Sequence, residues 1–548
     1  MTAHAPRPAG HETLRSSRER WNAKWYADGF YDPRSLGQVL EDGAKRNGRV
    51  EITFHRDDTR QETATLAELH HRARRLAQGL YDLGLRPGDT ICIQSPNSVE
   101  NTISCLAAFH LGLVIAPVVH IYGAHELGFI IRNTGSKALI IPRSWHKFDF
   151  IERFRAIEDL GALEHLIVIG DDAPDDALRW GELAAAESAG PAAPWDPGRN
   201  ALIVFTSGST GDPKGARHTH NTVKAGTVAG PAAFSSEPSP LALYASPAGH
   251  IGGMLNVLIP FVVGIGGHYL DGWDADLAAT LIARQGITRS SGAPLHLLTL
   301  VEALESGSHD FSAFRYYVCG GASVPPVTIE RAEANGFQAT RSYGSSENPT
   351  ITACYEDDPL VARSHTDGGM SPGGHVRVVD DEGIDVPLGH DGEVLLSGPK
   401  LFAGYTDPGL DPPSFTEDGW FRTGDVGQLD ENGRLTITDR MKDIVVRAGE
   451  NISSREVEDL LVRHPAVLEA AVVGEPDSRY GERACAFIRV RPGTEFDLAA
   501  ARRHFTELGV AKQKTPERIV VVEEFPRSAN GKIRKPELRD RLRGGTVR

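Results

Sequence analysis

Short apolar runs alternate with helical stretches from about residue 35 to about residue 370. That alternation constrains the fold more than any other feature. Thr90–Gln94, Val114–Val119, Ala138–Ile141, Leu166–Ile169 and Leu202–Phe205 read as strands, with Val99–Leu113 and Glu126–Asn133 patterned as helices between them. Strands that are apolar on both faces need cover on both faces, so the pattern predicts an α/β fold built on parallel sheets.

The texture changes after about residue 370. Val376–Val379, Glu393–Leu396 and Arg434–Thr438 are short strands set between Asp, Asn and Gly turns, and Asn432-Gly433 is a strong hairpin signal. They predict a β-rich subdomain ending near Thr438. A further αβ unit follows. Ser453 and Glu456 have the spacing of a capping box, and Val457, Leu460, Leu461 and His464 fall on one helical face. Leu468–Val473 and Ile519–Val522 read as strands. A chain of 548 residues exceeds one compact core. The expected division is 1–439 and 440–548, with residues 1–30 a polar arm or surface helix.

Composition removes several function classes. The net charge of -15 argues against a general affinity for nucleic acid or anionic membrane. Cys92, Cys105, Cys319, Cys354 and Cys485 are scattered and odd in number, which suits reduced thiols and a cytoplasmic location. No Cys/His cluster has zinc-ligand spacing. The N-terminus lacks a secretory h-region, and no membrane span is expected.

The first chemical motif follows the strand Leu202–Phe205. Thr206, Ser207, Gly208, Ser209, Thr210, Gly211, Asp212, Pro213, Lys214 and Gly215 combine hydroxyl donors, three glycines and a cation. Glycine lets backbone N–H groups approach an anion, and Lys214 adds a point charge for phosphate. This is not a Walker A loop, because no Ser or Thr follows the lysine. The order of residues resembles the signature loop of the adenylate-forming superfamily of acyl-CoA synthetases, adenylation domains and luciferases.

Other segments extend the resemblance over nearly the whole chain. Arg341 to Glu347 resembles the family's Tyr-Gly-x-Thr-Glu segment, with Ser346 in place of Thr. The match implies Tyr343 and Gly344 beside adenine, Ser346 at the α-phosphate and Glu347 on Mg²⁺. Gly320-Gly321-Ala322 is similar to the strand end that packs on the adenine plane. Asp425, in a Thr-Gly-Asp motif, is implied to accept from the ribose hydroxyls. Asp439-Arg440-Met441-Lys442-Asp443 resembles the hinge, with Arg440 on ribose or phosphate and Lys442 at the pivot. Gly449 corresponds to the thiol tunnel, and Lys532 to the catalytic lysine of the first step.

The resemblance implies a large N-terminal domain of αβαβα-layered sheets with a β-rich subdomain, and a small mobile C-terminal α+β domain. It implies an acid–thiol ligase that uses ATP, Mg²⁺ and coenzyme A, with a separate carrier protein as the alternative acceptor. The implied acid pocket contains His250, Ile251, Ser291, Gly292, Ser342 and Gly344, with His250 orienting the carboxylate. Ile251 offers no partner for an ammonium group, so an apolar aromatic, alicyclic or medium-chain acid is expected over an amino acid. The sequence does not set the oligomeric state.

Overall fold

The structure is a computed structural model that describes residues 11–192, 196–206, 213–229, 240–307, 309–477, 479–528 and 531–543. Two large sheets dominate it. The first has nine strands, six of them parallel in the order Gln338–Tyr343, Tyr316–Gly320, Arg289–Gly292, Leu241–Tyr244, Gly266–Leu270 and Glu51–His55. The second has seven, with Asn200–Thr206, Val114–Pro117, Thr90–Ile93, Ala138–Pro142 and His165–Ile169 in parallel. Sequence patterning missed the antiparallel edges, among them Gln61–Thr65 and Lys214–Thr219. Their half-polar sequences carry no continuous apolar run.

The helices Leu36–Arg46, Leu66–Asp82, Val99–Leu111 and Ile251–Val263 supply the core between the two sheets. Val99–Leu111 is buried on all sides, as a helix must be to lack a polar face. It stops two residues short of the sequence expectation because Gly112 takes a left-handed conformation and caps it. Separate apolar clusters cover each sheet's outer face, giving five layers. The fold class matches the sequence expectation.

A four-stranded antiparallel sheet, His375–Val379, Gly392–Ser397, Phe421–Leu429 and Leu435–Arg440, forms the β-rich subdomain. The last unit has a five-stranded sheet and its own core around Val457, Leu461, Val472 and Phe487. One local expectation needs correction. Ser453 accepts from the Glu456 N–H, but the Glu456 carboxylate pairs with Lys514 rather than returning to Ser453, so the box is half formed. Of the two expectations for residues 1–30, the surface helix holds over His11–Ala27: Leu14 and Trp25 are buried, and Arg18 pairs with Asp411 at 3.1 Å.

Candidate active site

Parallel strands bring their C-terminal ends to one side of a sheet, where ligand crevices form. Here the ends Gly292, Gly320 and Tyr343 are neighbours, with Gly292 opposite Cys319 and Gly320 opposite Ser342. Gly320 has no room for a side chain, since a Cβ would stand 2.3 Å from the Ser342 Oγ. Beyond these ends lies a cavity of about 440 Å³ lined by Gly321, Ala322, Ser342, Tyr343, Gly344, Asp425, Arg440, Lys442 and Lys532. The structure thus gathers into one space residues that the sequence scatters over more than two hundred positions.

Lys532 enters from the C-terminal unit on an anchored loop. Ser528 N–H donates to the Lys532 carbonyl at 2.8 Å, and Lys532 N–H donates to Ser528 Oγ. On one side Arg527 pairs with Glu469; on the other Lys535 pairs with Glu458 at 2.7 Å. Burial pushes the Lys532 ammonium down to about 8, and the Arg440 charge adds to that, while Asp425 and Glu347 act against it. Burial and Arg440 also lower Lys442. Arg440, Lys442 and Lys532 stand among further basic and acidic side chains that line the same cavity, Asp425, Asp443 and Arg455 among them, and the three cations suit a polyphosphate and the negative charge that builds during its transfer.

Asp425 is 3% exposed. It accepts from the Tyr343 hydroxyl at 2.5 Å and pairs with Arg440 Nε at 2.9 Å. Burial and that carboxylate together push the Tyr343 phenol far up. Glu347 lies on the turn after Gly344. Tyr405, which sequence reading did not single out, donates to Glu347 Oε1 at 2.8 Å. A carboxylate with one oxygen oriented in this way is a suitable hard ligand for Mg²⁺ carried on nucleotide phosphates. Among the described residues no cluster of three metal-ligating side chains occurs. Buried Lys400 braces the same turn by donating to the Thr350 carbonyl and Ser371 Oγ.

His250 caps the helix Ile251–Val263 and has a sealed Nε2 with no partner among the described residues. Burial first, then the charges of Lys532 and His120, lower it to about 4, so the imidazole is neutral at physiological pH. His120 was not foreseen, because nothing in its local sequence marks it. Ile251 packs against the core between the sheets. Ser291 and Gly292 part company: Ser291 lines a small separate cavity with Asn256, Arg289 and Tyr316, whereas Gly292 faces Tyr317 and His296.

Thr206 ends its strand and Lys214 begins the next, with the Lys214 ammonium 5.6 Å from the Tyr405 ring centroid. Ser207, Gly208, Ser209, Thr210 and Gly211 lie outside the described residues. Ser346 is fixed through its carbonyl, which accepts from His218 Nε2 at 2.7 Å. Gly449 sits in a two-residue hairpin turn, is exposed, and is not among the cavity-lining residues. This orientation of the C-terminal unit brings Lys532 to the site and not Gly449.

The profile of the AMP-binding enzyme family matches residues 40–406, and that of the AMP-binding enzyme C-terminal domain matches residues 456–532. The chain belongs to the AMP-binding enzyme family. Among its relatives is the medium-chain fatty-acid–CoA ligase of Escherichia coli, 34% identical over 88% of this chain and 86% of that protein. The salicyl-AMP ligase / salicyl-S-ArCP synthetase of Mycobacterium tuberculosis is 30% identical over 94% of this chain and 92% of its own. The crystal structure of ATP-bound MatB from Rhodopseudomonas palustris superposes with a TM-score of 0.82 at 26% identity, covering 92% of this chain and 99% of that one. The enzyme is an AMP-forming acid–thiol ligase of this family.

Proposed function

We propose that the enzyme activates an apolar carboxylic acid as its adenylate and then transfers the acyl group to coenzyme A, using one cavity for both steps. The observation that carries this reading is Lys532 standing in the cavity lined by Tyr343, Asp425 and Arg440. In the first step a carboxylate oxygen attacks the α-phosphorus of ATP, and the bond to pyrophosphate breaks. Both partners are anionic, so positioning and charge neutralisation are what the protein must supply. Lys532 bridges the carboxylate and phosphoryl oxygens, Arg440 and Lys442 face the phosphates, and Asp425 takes the ribose hydroxyls. Glu347 holds Mg²⁺, which offsets phosphate charge when bound. Neutral His250 orients the carboxylate without competing for it as a cation.

In the second step the thiol sulfur attacks the acyl carbon and AMP leaves with the former carboxylate oxygen. The region beyond residue 439 turns about Lys442, withdraws Lys532 and presents the Gly449 hairpin to the thiol arm. The salicyl-S-ArCP synthetase relative supports a second reading, in which a carrier protein supplies the thiol. The five cysteines are all free and buried, which fits a reducing compartment such as the cytoplasm.

A pH test follows from Lys532. Adenylation needs its protonated form, which is lost as pH rises through about 8. Acid-dependent kcat/KM is expected to fall about tenfold per pH unit above that point. Lys532→Arg stays charged and should lose this alkaline limb, although its rate is lower. An unchanged limb in Lys532→Arg assigns the titration to another group. The function itself is tested by acid-dependent ATP–pyrophosphate exchange across aromatic, alicyclic, medium-chain and α-amino acids. The first three classes should support exchange and α-amino acids should not.

A further inference from the structure

Two elements of the phosphate side hang on one short segment, residues 402–406. The Phe402 N–H donates to the Glu347 carbonyl at 2.8 Å, and the Tyr405 hydroxyl donates to Glu347 Oε1 at 2.8 Å. The Ala403 and Thr406 N–H groups donate to the carbonyls of Arg217 and Gly215, on the strand that Lys214 opens. The N-terminal helix His11–Ala27 grips the same segment. Arg18 Nη2 pairs with Asp411 Oδ2 at 3.1 Å, and Asp411 Oδ1 accepts the Tyr405 N–H at 2.8 Å. Leu14 shares an apolar cluster with Phe402 and Tyr405, and the Arg18 guanidinium lies 4.8 Å from the Phe415 ring of that cluster. Gly404 makes room for the ion pair: a Cβ there would strike Asp411 Oδ2 and stand 2.8 Å from Arg18 Nη2.

A metal ligand is placed by the groups that orient it, and removing such a group weakens metal affinity or activity by about 10- to 100-fold. Tyr405 is that group for Glu347. Tyr405 is in turn fixed by Asp411, whose charge is met by Arg18. We infer that Arg18 is a positioning residue for the Mg²⁺–nucleotide end of the site, acting through Asp411 and Tyr405 on Glu347. The inference rests on the ligase reading, which places Mg²⁺ on Glu347. It gives the N-terminal helix a duty in the reaction, although its residues precede position 40, where the family profile begins. Arg217 Nη2 also lies 4.0 Å from Asp411 Oδ2, so Asp411 keeps a cation nearby when Arg18 is replaced. Other contacts hold the helix: Ser17 Oγ donates to the Glu417 carbonyl at 3.2 Å, and Trp25 is buried. Loss of Arg18 therefore loosens the line to Glu347 without undocking the helix.

The test uses Arg18→Met, which keeps the stem over Phe415 and removes the charge. Calorimetric titration with Mg·ATP, in the absence of any acid, reads binding directly. Arg18→Met should weaken Mg·ATP binding by about threefold to tenfold, less than a direct partner of the ligand because it acts further out. Metal-free ATP should bind variant and wild type within about twofold, and the KM for the acid should stay within the same range. Arg18→Lys should restore most of the loss. In a Tyr405→Phe background, Arg18→Met should change Mg·ATP binding by less than about twofold, because the line is already cut. Asp411→Asn breaks the same pair from its other end and carries the test if melting shows Arg18→Met to be unfolded. Unchanged Mg·ATP binding in a well-folded variant overturns the inference. So does an equal loss with metal-free ATP, or a full Arg18→Met effect in the Tyr405→Phe background. The ligase reading fails separately, through absence of exchange with any acid, and the binding measurement needs no acid.

Discussion

Lys532→Ala is expected to lower acid-dependent adenylation by about 10³-fold, roughly 4 kcal/mol of transition-state stabilisation, because a preorganised charge inside a crowded cavity is removed. The loop that carries it is held independently by Arg527–Glu469 and Lys535–Glu458, so the fold should survive. Thioester formation from preformed acyl-adenylate should stay within a few-fold of wild type, because Lys532 leaves the site for that step. The two half-reactions therefore separate in one variant. Equal loss in both would contradict the assigned role. A small loss in the first would show that Arg440 and Lys442 suffice.

Asp425→Asn carries the second largest effect. The carboxylate is buried and charge-assisted by Arg440, and it also takes the Tyr343 hydroxyl. Asparagine removes the charge and turns one of the two acceptor oxygens into a donor, which then faces either the Tyr343 hydroxyl or Arg440. Losing a charge-assisted hydrogen bond costs about 2–3 kcal/mol, so the KM for ATP should rise by about 30- to 150-fold. Arg440 is half exposed, which keeps the cost toward the lower end. A double variant separates the two duties of Asp425. If it serves only to hold Tyr343, then Tyr343→Phe should raise the KM as much as Asp425→Asn, and the pair should add nothing further. If it also binds ribose, Asp425→Asn should exceed Tyr343→Phe clearly.

The layered fold was legible because buried parallel strands have no polar face to confuse the pattern. Thr90–Ile93, Ala138–Pro142 and His165–Ile169 all stand where the apolar runs predicted. The edge strands were not legible, since their residues are half polar and their partners are distant in sequence. Site residues divide along the same physical line. Tyr343, Glu347, Asp425, Arg440, Lys442 and Lys532 sit in motifs whose order is itself informative. Tyr405 holds Glu347, His218 holds the Ser346 carbonyl and Lys400 the Thr350 carbonyl, through contacts that depend on the fold and leave no local signature.

Acid-dependent exchange of pyrophosphate into ATP, followed by capture of the bound acyl-adenylate with coenzyme A, tests the central claim most directly. The account predicts exchange that requires an apolar acid and Mg²⁺, then stoichiometric thioester and AMP when coenzyme A is added. Tight ATP binding with no exchange for any acid would contradict it.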